Sequence, residues 1–227
     1  MPIDLKKYLT EQYHKSISSD RAPGPVVTIS RQYGCSAKDF AMLLANKLNE
    51  IKKGKKEWNW INKEVFENTA KDLKLKESRI QHVFEGEKKG MIENIILSSS
   101  EKYYTSDEKI KKKIIEIVRS FAEQGNTIII GLGGVAITRD IKKSLHVRLQ
   151  APFEWRVAQA AKKRDRTIAE MTKYATSIDK KRDKFRDYFA SNTDPREMFD
   201  ITFNTMTMNQ EDIIETIVCL MKRRKMI

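Results

Sequence analysis

The residues best placed to do chemistry are Arg31-Gln32-Tyr33-Gly34-Cys35-Ser36-Ala37-Lys38-Asp39. They stand between a β-like run, Pro25-Val26-Val27-Thr28-Ile29-Ser30, and an amphipathic stretch that begins Phe40-Ala41-Met42-Leu43-Leu44. A strand, a tight turn and a helix in that order make an anion cradle. The turn points backbone N–H groups inward, and the helix N-terminus adds partial positive charge. A loop that grips phosphates this way normally carries two glycines, a lysine and a hydroxyl. Here Gly34 is the only glycine, Lys38 the only lysine, and Ser36 the hydroxyl. The same stretch also fits an ordinary strand-to-helix turn. Cys35 then reads either as a thiol activated by the turn or as a small packing residue.

Two further groups have suggestive spacing. Gly131-Leu132-Gly133-Gly134 follows an apolar run, and its glycines allow a ligand close to the backbone at a strand end. Arg182 and Arg186 are four residues apart and share a helix face, so two guanidinium forks point the same way. Asp179, Asp183 and Asp187 interleave with them, which equally suits an exposed face of paired charges. The histidines at 14, 82 and 146 have no metal-site or triad spacing, and the three tryptophans read as packing residues.

The elements that must hold these residues alternate. Strands are expected at 25–30, 127–130, 145–149 and 201–203, with Trp58-Asn59-Trp60-Ile61 as a short extended piece. Helices are expected at 37–50, 63–75, 77–85, 88–104, 108–124 and 135–142. Two more are expected at 153–164 and 167–190, broken near Asp165-Arg166, and a last one at 210–224 is capped by Asn209. The continuous apolar run Thr127-Ile128-Ile129-Ile130 suits a strand buried on both faces of a parallel sheet. Strands alternating with helices argue for a right-handed parallel α/β sheet.

The chain has 227 residues and a net charge of +13, with 40% hydrophobic and 33% charged residues. That suits one globular α/β core with an appendage. The charge suits solvated basic surfaces, or a phosphate-rich small-molecule partner. Nucleic acid ranks third, since aromatics are not interleaved with the basic runs. No apolar run approaches a membrane span, and the first residues lack a signal-peptide core. Cys35 and Cys219 suggest no disulfide framework, so a reducing cytoplasm is expected.

Taken in order, five segments resemble the cytidylate kinase-like proteins of the P-loop nucleoside monophosphate kinase superfamily. They are residues 28–34 (TISRQYG), 129–134 (IIGLGG), 145–152 (LHVRLQAP), 179–189 (DKKRDKFRDYF) and 199–205 (FDITFNT). The resemblance runs from residue 26 to about 221. It implies a P-loop NTPase-type three-layer α/β/α fold. The core would comprise residues 25–57, 106–159 and 193–227, after a lead at 1–24. A helical insertion at 58–105 would close over the acceptor nucleotide, and a helical lid at 160–192 over the phosphates.

The implied reaction moves the γ-phosphoryl of ATP, with Mg2+, onto a nucleoside monophosphate or similar small acceptor. Gly34, Cys35, Ser36, Ala37, Lys38 and Asp39 would bind the donor, joined by Arg156 and Lys163. Ser36 and Asp39 would meet the magnesium ion. Lys38, Arg182 and Arg186 would be catalytic. Gly131, Gly133, Gly134, Arg139 and Asp200 would serve the acceptor. Arg139, Arg156 and Lys163 also read as solvated helix charges, and Asp200 as a strand-start turn residue.

The chain departs from this pattern at three points. Ala37 stands where the superfamily has lysine, and Lys38 then takes the place of the magnesium-ligating hydroxyl. Ser36 and Ala37 replace favoured glycines. Leu132 replaces an arginine that contacts the acceptor in related kinases. These departures keep a second expectation open, a catalytically weak nucleotide-binding regulator on a kinase fold.

Overall fold

A computed structural model of the chain describes residues 24–51, 56–64, 107–190 and 194–227. The expected lead helix, the basic break at 52–55, the helices read between 65 and 104, His14 and His82 lie outside these residues.

Five parallel strands form one sheet: β1 (Val26–Arg31), β2 (Asn59–Ile61), β3 (Thr127–Ile130), β4 (Ser144–Gln150) and β5 (Ile201–Asn204). Their spatial order is β2-β3-β1-β4-β5, with β1 at the centre. Successive side chains of a strand point to opposite faces, and here each face has its own apolar layer. Val27, Ile29, Ile128, Ile130, Leu145 and Val147 pack with α1 (Ala37–Ile51), through Phe40, Leu44 and Leu48. Val26, Ile61 and Ile129 turn the other way, onto Ile114, Ile117, Val118 and Phe121 of α2 (Asp107–Gln124). The sheet is thus sandwiched between helices, the three-layer α/β/α arrangement the sequence implied. Full burial of each such side chain contributes about 1.5–3 kcal/mol.

After β3 comes a single helical turn, α3 (Gly134–Ile137). It is shorter than the expected 135–142 because the chain must return to the start of β4 by Ser144. Thr138 ends it by donating its hydroxyl to the Gly134 carbonyl at 2.8 Å. The next two helices, α4 (Phe153–Arg164) and α5 (Ile168–Asp187), form a hairpin. Asp165 adopts a left-handed φ of 52°, and Thr167 and Glu170 make a reciprocal capping box. Those two features are the expected break. The C-terminal helix, α6 (Gln210–Arg223), is capped by Asn209, whose Oδ1 accepts from the Asp212 amide at 2.8 Å.

One boundary moves. Trp60 and Ile61 pair in register with Ile128 and Ile129, so residues 59–61 belong to the core sheet. Residues 58–61, expected in the insertion at 58–105, are thus part of the core, where Trp58 is itself buried. Among the described residues no helix is long and apolar enough to cross a membrane.

Candidate functional site

In parallel α/β sheets, ligands bind beyond the carboxyl ends of the strands, where the strand order reverses. Here that point is the end of β1, between β3 and β4. The turn after β1 is held from below. The Gln32 amide donates to the Leu149 carbonyl at 3.0 Å, and the Cys35 amide to the Gln32 carbonyl at 3.2 Å. Gly34 has φ +91°, and an added Cβ would lie 3.0 Å from the Arg156 Cβ. Both conformation and space therefore require glycine there.

Arg156 is buried beneath this turn. Its Nε donates to the Ala151 carbonyl at 2.9 Å, and its Nη1 to the Tyr33 carbonyl at 2.7 Å and to Asp179 Oδ2 at 2.8 Å. The other oxygen of Asp179 accepts from the Tyr33 amide at 2.6 Å. A carboxylate of α5 thus occupies one of the turn's amides. The Tyr33 ring is seated in the α4–α5 hairpin against Val157, Met171 and Ala175. Burial pushes the Cys35 thiol above its ordinary pKa, and Thr205 Oγ1 donates to its sulfur at 3.4 Å. The packing reading of that cysteine holds.

The outer side of the turn is solvated. Ser36 Oγ donates to Asp39 Oδ2 at 2.7 Å at the start of α1. Lys38 Nζ reaches Glu64 at 3.2 Å, with both side chains mostly exposed. This hydrogen bond, then one from Asn62, holds the Glu64 carboxyl below its usual range.

A cavity of about 270 Å³ opens at the carboxyl ends of β1, β3 and β4, under α5. Arg31, Arg148, Arg182 and Arg186 line it, with Gly131 and Gly133 at one wall and Leu132, Val135 and Phe185 as apolar surface. The Arg31 guanidinium lies against Gly131, whose φ is +70°. A Cβ there would collide with Arg31 Nη1. Burial, then the Arg182 charge, pulls the Arg31 pKa down to about 9, with Asp179 opposing. Burial, then the neighbouring Arg186, likewise lower Arg148, with Asp183 and Asp179 opposing, and its guanidinium sits 5.3 Å over the Phe199 ring.

The two arginines of α5 differ in their company. Arg182 donates from Nη1 to the Arg31 carbonyl at 3.4 Å and stands 4.0 Å from Asp179. Arg186 pairs with Asp183 at 2.8 Å and Asp187 at 3.0 Å. This helix face is laced with acidic partners and also lines the cavity.

The cavity brings together Arg182, Arg186, Gly131 and Gly133 from the sequence candidates. Other candidates do not line it. Gly134 packs α3 onto the sheet, where an added Cβ would lie 2.9 Å from Ile129 Cγ2. Arg139 and Lys163 are exposed outside the lining. Asp200 accepts from the His146 amide at 2.7 Å and from Arg224 at 2.9 Å, beside the middle of β4. Leu132 is buried in one apolar cluster with Phe185 of α5, and an added Cβ at Gly133 would lie 2.7 Å from Phe189 Cδ2. Leu132 and Gly133 thus form an apolar seat for the end of α5.

Neither Arg31, quoted as part of the turn, nor Arg148 was given a binding or catalytic role from the sequence. A signal existed: each is the one arginine, lysine or carboxylate residue of its strand, at or near the carboxyl end.

Several known proteins share features with this chain. An uncharacterized protein of Eubacterium ventriosum superposes with a TM-score of 0.62 at 12% identity, covering 87% of this chain and 98% of its own. Shikimate kinase of Bacteroides thetaiotaomicron gives a TM-score of 0.48 at 10% identity, with the same coverages. No curated protein matches the sequence. The profile of the cytidylate kinase-like family matches residues 26–207, most of the chain and every strand of the sheet. The chain belongs to the cytidylate kinase-like family.

Proposed function

We propose that the chain transfers the γ-phosphoryl group of ATP to a nucleoside monophosphate or a similarly small phosphate acceptor. The observation that carries this reading is the convergence of Arg31, Arg148, Arg182 and Arg186 on one cavity beside the turn after β1. Phosphoryl transfer demands positioning and charge neutralisation more than covalent chemistry. In this reading the amides of residues 34–39 and Lys38 hold the donor phosphates. Arg182 and Arg186 offset charge on the transferring group. The glycines at 131 and 133 let the acceptor approach the backbone, and the α4–α5 hairpin keeps water out. Lys38 leaves Glu64 at little cost, since a pair this exposed is weak.

The residues present fit a magnesium ion. Ser36 Oγ and the Asp39 carboxylate are exposed oxygen donors within 2.7 Å of each other. That ion takes one or two protein oxygens and otherwise binds water and phosphate. Ser36 and Asp39 would hold it, and its positive charge would help to neutralise the donor phosphates.

The test is ADP formation from magnesium-ATP across CMP, other monophosphates and small hydroxyl compounds. Turnover that rises with one acceptor above the acceptor-free rate supports the reading. A flat response across the whole panel refutes it. A second reading, a regulator that binds nucleotide without turnover, is favoured by Asp179 on the Tyr33 amide and by the apolar seat at Leu132. ATP binding by calorimetry with no product from any acceptor would select it.

A further inference from the structure

The two arginines of α5 are ion-paired, whereas the carboxylates that share the cavity with Arg31 and Arg148 serve other arginines, Asp179 with Arg156 and Arg182 and Asp183 with Arg186. Among the described residues, no carboxylate lies within ion-pairing distance of the Arg31 or Arg148 guanidinium. Both come from adjacent central strands, Arg31 pairing in register with Leu149 and Arg148 with Ser30. Both line the same cavity. Gly131 makes room for the Arg31 guanidinium against the backbone, so its position is set by the fold. Lys38, the turn's lysine, points instead to Glu64 on the solvated side.

Two partly buried cations whose nearest carboxylates are already paired with other arginines are incompletely neutralised until an anion completes the site. The arrangement also specifies which anion. A planar carboxylate satisfies one guanidinium fork. Guanidinium groups arriving from β1, β4 and α5 suit a tetrahedral oxyanion with oxygens on several sides.

From this convergence, we infer that Arg31 and Arg148 form a phosphoryl-binding subsite, the anchor for a phosphate group facing the turn after β1. The anion chemistry stands without turnover; only the source of the phosphate, donor or acceptor, rests on the kinase reading.

Pyrophosphate is the probe, titrated calorimetrically at fixed ionic strength into the full chain and into Arg31→Met, Arg148→Met and Lys222→Met. Lys222 is exposed on α6, away from the cavity, and controls for net charge. Each cavity variant is expected to lose roughly 10- to 100-fold in affinity, the scale of one charge-assisted contact, while Lys222→Met stays within about twofold.

A purely structural arginine would behave differently. Its loss would lower the urea midpoint of the ligand-free protein, whereas an arginine awaiting a ligand leaves that midpoint unchanged or higher. Arg31→Lys, which keeps the charge, is expected to recover part of the affinity. Affinities of both methionine variants within twofold of the parent, or no binding by the parent at millimolar pyrophosphate, overturn the inference.

Competition identifies the source: displacement by a monophosphate assigns the acceptor end, and displacement by a non-hydrolysable ATP analogue the donor end. Binding without turnover leaves the subsite standing while the kinase reading fails. Full turnover in the Arg31→Met/Arg148→Met double variant does the reverse.

Discussion

Replacing Arg156 by methionine keeps a stem of similar length and deletes the charge with its three donated hydrogen bonds. The side chain is 4% exposed and its partner Asp179 19%, so water reaches neither group freely. The variant strands a carboxylate under α5 and leaves the Ala151 and Tyr33 carbonyls without that donor. Breaking a buried pair from one side costs about 3–5 kcal/mol. That is a large share of the roughly 5–15 kcal/mol that holds a domain folded. With a urea dependence near 2 kcal/mol per molar, the unfolding midpoint should fall by roughly 1.5–2.5 M. Equilibrium unfolding followed by tryptophan fluorescence reads this directly, because Trp58 and Trp60 are buried in the core. In Asp179→Asn the stranded charge is already gone. Adding Arg156→Met there should cost about 1–3 kcal/mol less than it costs in the parent. A midpoint shift below about 0.5 M in the single variant, or strict additivity in the double, would refute the claim that Arg156 anchors the turn to α5.

Three further outcomes are expected. Arg182→Ala and Arg186→Ala should each lower kcat by about 10²-fold or more, with smaller effects on ATP affinity; parental turnover in both removes them from the transfer step. Lys38→Ala should alter stability by less than about 1 kcal/mol, since its pair with Glu64 is exposed. It should weaken ATP binding, and an unchanged Kd by calorimetry removes that lysine from the donor site. His146 is buried between Thr28 Oγ1 at 2.8 Å and Ser144 Oγ at 3.1 Å. Burial first, with Arg224 adding and Asp200 opposing, holds its pKa below 6.5. The unfolded chain therefore takes up this proton first, so His146 makes stability fall as pH drops below about 6.5 and leaves it flat above. Thermal melts between pH 5 and 8 should show that decline, and His146→Gln should reduce it. An equal slope in both proteins would contradict the burial argument.

The sequence by itself determined what depends on neighbours along the chain. The apolar run at 127–130, the helix over 37–51, the Asn209 cap and the break near Asp165 follow from local periodicity and capping. Together they foretold a parallel α/β sheet with a turn after its first strand. Gly34 was legible too, because a tight strand-to-helix turn needs its positive φ.

What only the tertiary structure decided concerns residues far apart in the chain. Asp179 reaches the Tyr33 amide across 146 positions, and Arg156 the Tyr33 carbonyl across 123. Arg31 and Arg148 became a pair because β1 and β4 lie side by side, an order that no local pattern encodes. The resemblance offered Asp200 as an acceptor residue and its place before a strand as a turn residue; that it lies beside His146 follows from the register of β5. Periodicity states which face of an element is apolar. Only the assembled sheet states which charges share a cavity and which are left without a partner.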